Sequence, residues 1–376
     1  MTPTPVPSGK SMLVVGDGRP AGPMRCGVPA SSDREDALAP RLREKRRRAV
    51  LRSVVTTMLM GMALAALMLL DLMFGHDMYR ITDVLTVLSG GYIPGVSFAI
   101  GELRLPRVVI GAFCGMAFGM AGTSFQHLLR NLMASPDIIG ITSGANTAAV
   151  FGIIILGLSG FPLAALAVAG GLITACSVIW LSSGGGLSYA RLILMGIGTG
   201  AGLNALSSWI LLRANQWDVQ AASRWLTGSL ASSQWQEVPP LVVTVLVAGS
   251  LLVSLRRHVD VLRFGDEIAT GLGVRVRLSQ TAVLVLSVLL LSVATATSGP
   301  ISFVSFLAGP LAVPLAGRRA PSLIQAGFMG GCLVIAADIA AQHVPSTQLP
   351  VGVVTGIIGG PILAALIIRM TRRQEI

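Results

Sequence analysis

The chain has 376 residues, 53% of them hydrophobic and only 12% charged, where a soluble domain carries roughly 25% charged residues, and its net charge is +11. This composition excludes a water-soluble core and predicts one polytopic membrane domain. Nucleic acid is excluded as the reason for the positive charge, because the basic residues gather in the N-terminal tail and the loops, where positive-inside bias puts them.

Residues 1–48 form a tail rich in Pro, Gly, Ser and charge, ending in a basic cluster from Arg41 to Arg48. It reads as a disordered cytoplasmic segment that sets topology, with anionic membrane lipid as the sharper alternative partner. No secretory signal is expected, since the charged lead is too long and the next apolar run lacks a small-residue cleavage site. The transmembrane domain proper is expected over 49–376.

Uncharged runs then place the spans. The first three spans come from 53–70, 108–129 and the first part of a 53-residue run over 138–190. That run is too long for one crossing, and Ser159-Gly160-Phe161-Pro162 divides it into spans 3 and 4. Spans 5 and 6 fall at 192–212 and 238–255. Residues 278–317 split at Thr297-Ser298-Gly299-Pro300 into spans 7 and 8, span 9 starts at 320, and span 10 covers 351–368. The expected fold is all-α, with about ten transmembrane helices. With the N-terminus inside, inner segments hold 23 of the 28 Lys and Arg residues; leaving out residues 1–52 the balance is still 12 against 5. Both termini are then cytoplasmic, in the cell (inner) membrane. Spans 2 and 7 run in opposite directions, which suggests an inverted repeat.

The most informative stretch is 102–147. Residues 103–107 read Leu-Arg-Leu-Pro-Arg, Gly122 and Gln126 sit four apart in a small-residue run, and Arg130-Asn131 leads to Pro136 and a Gly140 to Ala145 turn. These residues resemble the permease subunits of ABC importers for ferric siderophores, haem and vitamin B12, whose motifs are L-R-L-P-R, G-x-x-x-Q, R-N-P-L-A-x-P and G-x-x-x-G-A. Leu132-Met133-Ala134 departs from Pro-Leu-Ala, and 135–140 looks most like the catecholate (enterobactin-type) branch. The resemblance covers about 50–370.

The resemblance implies partners and sites. Residues 265–274, within the inner loop 256–277, match G-x-E-x-A-x-x-L-G-V. Gly265, Asp266, Glu267, Ala269, Leu272 and Gly273 are therefore expected to dock on an ATP-binding subunit, a helix-in-groove contact. Independently, Asp266 and Glu267 suit a helix start and the glycines its end. Arg104 and Arg107 are expected to meet acidic residues of an extracytoplasmic substrate-binding protein, because a guanidinium fork pairs two carboxylate oxygens. The turn before span 5 maps to a cytoplasmic gate, with Leu187, Ser188 and Tyr189. The implied assembly is two permeases, identical or paralogous, two ATPases and a binding protein, moving a ferric siderophore by alternating access. Haem or cobalamin import by the same machinery is the alternative.

Departures remain. Span 8 lacks the family's His and Arg, Gln348 replaces a Glu, and Ala341-Gln342-His343 stands where a second docking arginine often lies. Asp338 reads either as a functional intramembrane acid or as a residue that caps or pairs there. Asn204 reads as interhelical glue, and Trp217, Trp225 and Trp235 as interface anchors.

No phosphate-binding loop, nucleophile–base spacing or histidine pattern occurs, so neither catalysis nor a cofactor is expected on this chain; ATP and magnesium belong to the partner. Cys26, Cys114, Cys176 and Cys332 are too scattered for a metal or disulfide pattern. A stand-alone secondary carrier, the other class, would need a buried coupling acid, for which only Asp338 offers itself.

Overall fold

The computed structural model describes residues 31–75, 78–182, 189–262, 264–316, 322–343 and 348–374. Residues 1–51 and 52–376 form two separate units. In the first, helix α1 (Ser31–Met73) begins at Ser31, well inside the expected tail. Ala, Leu, Arg, Glu and Lys there are strong helix formers, and Glu44 pairs with Arg48 one turn on at 2.5 Å. Residues 1–30 lie outside the described residues.

The second unit is a helical bundle. After α1 come α2 (Ile81–Leu88), α3 (Val96–Phe98) and a π-helical turn (Ala99–Arg104) that runs straight into α4 (Leu105–Leu128). A short 3₁₀ turn (Pro136–Ile139) leads to α5 (Ile141–Ile154), then α6 (Gly160–Ser182), α7 (Tyr189–Leu212) and α8 (Gln216–Leu226). Next come α9 (Val238–Ser254), α10 (Arg256–Leu262) and α11 (Asp266–Gly271), followed by α12 (Val276–Ser298), α13 (Val304–Ala316), α14 (Leu323–His343) and α15 (Val351–Gln374).

Among the described residues, eight helices are long and apolar enough to cross a membrane. The remaining two expected spans, 3 and 8, are α5 and α13, with only 14 and 13 residues. At 1.5 Å per residue each is about 20 Å long, short of the ~30 Å hydrocarbon core. The shortening has local causes. Gly140 (φ 79°) starts α5 after the 3₁₀ turn, and Gly299 (φ 72°) with Pro300 breaks the chain before α13. Uncharged length therefore overstated α5, while Gly299-Pro300 already marked the start of span 8 as a break.

The two short helices occupy equivalent places. Both α4–α7 and α12–α15 run long, short, long, long. The packing repeats too: α4 lies on α14 as α12 lies on α6, α4 on α13 as α12 on α5, and α5 on α6 as α13 on α14. With span 1 and α9 outside the two quartets, α4 and α12 point in opposite directions across the membrane. This is the inverted repeat expected from the sequence.

Helix α4 is the axis of the bundle: 83% of its apolar window is buried, against 11% for α1. Small residues make that possible. A Cβ on Gly115 would lie 2.7 Å from Gly331 Cα on α14, and one on Gly122 would collide with the Ser305 carbonyl on α13. Lipid tails are as apolar as leucine, so membrane helices gain by such backbone approach rather than by hydrophobic burial.

Candidate functional site

At the C-terminal end of α4 the chain makes a strained turn. Arg130 has φ 52°, in the left-handed region, and Asn131 N donates to Gln126 O at 3.0 Å, closing the helix. Arg130 Nε donates to Leu262 O at 3.1 Å, tying the end of α10 to the turn after the most buried helix. Next to it is the expected coupling segment, and it is helical. Gly265 (φ 117°) caps α11 and Gly273 (φ 80°) follows it, both in conformations that glycine reaches without a Cβ penalty. Ala269 is fully buried and faces the bundle. Phe264, Ile268 and Leu272 are 70%, 54% and 66% exposed. Ile268 and Leu272, four positions apart, share one side of the helical segment, and Phe264 is exposed just before its Gly265 cap. Glu267 is exposed beside them, and the Asp266 side chain lies outside the described residues.

The expected docking arginines lie at the other end of α4, and both are engaged. Arg104 Nη1 donates to Leu72 O at 3.0 Å, and its guanidinium stacks over Tyr79 at 4.6 Å. Arg107 Nε and Nη2 donate to Asp338 Oδ2 and Oδ1, each at 2.8 Å. The Arg107 fork is thus filled from within the chain, and Asp338, 1% exposed, is the pairing residue rather than a free coupling acid. Gln342 Nε2 extends the network, donating to Asp338 Oδ2 at 3.0 Å and to Asp71 Oδ1 at 3.1 Å. Asp71 is a site residue that sequence reasoning missed. It sits in the last turn of α1, where counting uncharged residues ended the span one position earlier.

A cavity of about 860 Å³ opens beside this network. Arg107, Arg224, Trp225, Gln234, Glu237 and Gln348 line it. Ala221, Arg224 and Trp225 reach it from one face of α8, being three and four positions apart. Trp225, read from the sequence as an interface anchor, is therefore a cavity wall. Asn204, read as glue, lines a second and smaller cavity with α5 and α12. Of the gate expectation, Leu187 and Ser188 lie outside the described residues; Tyr189 opens α7 and its side chain lies outside them as well.

Several known proteins are similar to this chain. The model of the FecCD transport family matches residues 59–369. The ferric enterobactin transport system permease protein FepG of Escherichia coli (strain K12) is 34% identical over 327 residues, 86% of this chain and 98% of that protein. The achromobactin transport system permease protein CbrC of Dickeya dadantii (strain 3937) is 36% identical over 310 residues, 81% and 88% of the two chains. A solved structure described as a metal-chelate type ABC transporter in an inward-facing conformation superposes with a TM-score of 0.76 at 25% identity, covering 83% of this chain and 98% of that one. A bundle of this topology, matched along nearly its whole length by family model, relatives and structure, belongs to the FecCD transport family.

Proposed function

We propose that the chain is the permease subunit of an ATP-driven importer of ferric siderophores, in the cytoplasmic membrane with both termini inside. The observation that carries the reading is the match to the two siderophore permeases across 81% or more of the chain. The cavity at the N-terminal end of α4 then faces outward and receives the iron chelate from an extracytoplasmic binding protein. Helices α10 and α11 face the cytoplasm.

The exposed apolar residues Phe264, Ile268 and Leu272 support an ATPase contact on the inner face. Apolar side chains that project from a water-facing loop cost solvation unless a partner covers them. Arg130 gives that contact a route to the bundle, because its bond to Leu262 O fixes α10 against the end of α4. ATP hydrolysis belongs to that partner. For the outer face, Arg104 and Arg107 support docking less directly than their sequence suggested, since both already have partners in the chain. Arg224, exposed on α8, is the basic residue best placed to meet a binding protein or an anionic chelate.

Affinity purification of the tagged chain in mild detergent, followed by mass spectrometry and an ATPase assay, tests the assembly. Recovery of an ATP-binding subunit and a second permease chain is expected. A chain that purifies alone and moves solute in liposomes without ATP overturns the reading.

A further inference from the structure

The smaller cavity, about 280 Å³, lies where the two short helices begin. Its wall comes from both halves of the repeat: Thr142, Ser143 and Asn146 of α5, Asn204 of α7, Thr295 of α12, and Ser302 and Ser305 before and within α13. The broken segment adds Pro300 and Ile301, and Asp137 adds one carboxylate. Among the described residues, no basic side chain lines it. The lining is thus oxygen-rich, with one negative charge and no counter-charge, inside a membrane bundle.

Two of these side chains are incompletely paired. Asn146 Oδ1 and Thr295 Oγ1 are buried with no hydrogen-bond partner, and Thr295 is 1% exposed. An oxygen left unpaired in a low-dielectric interior carries a desolvation penalty of roughly 1–3 kcal/mol. Asp137 already accepts from Thr142 Oγ1 and from Ser135 Oγ at 3.0 Å, so its carboxylate is held in place and exposed at one side of the cavity, which gives an ion a way in.

We propose that this cavity binds a monovalent alkali cation, sodium or potassium, together with part of its hydration shell. Hard cations select oxygen ligands, and the amide, hydroxyl and carboxylate oxygens here are of that type. A single carboxylate among neutral oxygens suits one positive charge, whereas calcium sites gather several carboxylates. At about 30 Å³ per water the cavity has room for the ion and several waters. Unwound segments of inverted-repeat proteins offer such oxygens at the membrane interior. The bound ion braces α5 and α7 against α12 and α13, joining the two quartets where their helices are interrupted.

The test uses the full chain in nanodiscs, melted by tryptophan fluorescence in N-methylglucamine chloride or in sodium or potassium chloride at equal ionic strength. The chain is expected to melt about 2 °C or more higher in at least one alkali salt. Thr295→Val and Asn146→Leu, similar in branching to the native residues, should melt at or above the native chain in N-methylglucamine, being relieved of an unpaired oxygen, and show no alkali rise. Thr295→Ser, which keeps an oxygen, should retain it. Where sodium is the ion, ²³Na resonance broadening should be seen with the native chain and lost with Thr295→Val. An identical melting temperature in all three salts, or an undiminished rise in Thr295→Val, overturns the proposal. Neither outcome bears on whether the chain carries siderophores, which uptake assays decide separately.

Discussion

Arg107 on α4 and Asp338 on α14, 231 residues apart in sequence, hold each other through two parallel hydrogen bonds of 2.8 Å. Gln342 passes the contact on to Asp71, so one network fastens the ends of α1, α4 and α14. Asp338 is almost fully buried, and removing one partner leaves an uncompensated charge at a cost of about 3–5 kcal/mol. Asp338→Ala is therefore expected to lower the melting temperature sharply in detergent. The double change Arg107→Met with Asp338→Leu should recover most of the loss. Arg107→Lys, which keeps the charge but loses the fork, should fall between.

The small-residue seams of α4 predict an asymmetric response to added methyl groups. Gly122→Val forces a side chain into the Ser305 backbone and should abolish the folded, monodisperse fraction on size-exclusion chromatography. Gly202→Ala, on α7, meets nothing within 4 Å and should leave that fraction unchanged or improve it.

Gln325 joins α14 to α1. Its Nε2 donates to Ser53 O at 3.2 Å and to Thr56 Oγ1 at 2.8 Å, while its Oε1 accepts from Ser322 N at 2.9 Å. Gln325→Leu removes all three bonds and leaves Ser322 N without that acceptor, at a cost of about 1–3 kcal/mol. Faster amide exchange in α1 near Ser53 and Thr56, with the α4 amides unchanged, is the expected reading.

Much of this was legible in the sequence because membrane helices announce themselves by length and lack of charge. All ten apolar helices fall where uncharged runs put them. The length of α5 was not legible, because an uncharged run does not show where Gly140 interrupts the helix, whereas the break before α13 was marked in the sequence by Gly299-Pro300. The Arg107–Asp338 pair was half legible. Each residue stood out alone, one as a docking arginine and the other as an intramembrane acid. Only the fold brings α4 and α14 together and shows that these two residues pair with each other. Asp71 gave no local signal, since the Gln342 that binds it is 271 residues away. For the segment expected to couple, the motif marked the stretch and the structure shows it to be a short helix with exposed apolar side chains.

Leu272→Asp and Ile268→Asp place charge on the exposed face of that segment without touching the bundle core, since both side chains point into solvent. Each is expected to leave the melting temperature of the isolated chain within about 1 °C of native, surface changes being nearly neutral. Each should also reduce recovery of the ATP-binding subunit on pull-down at least tenfold. A normal pull-down with both variants would remove this face from the coupling contact.

The most direct measurement is uptake of ⁵⁵Fe-labelled ferric catecholate into proteoliposomes that hold the chain with its co-purified permease and ATPase partners and are supplied with the binding protein. The account predicts uptake that requires ATP on the ATPase side and disappears with Leu272→Asp. Uptake that proceeds without ATP, or no uptake of any ferric chelate by an assembly that hydrolyses ATP, would contradict it.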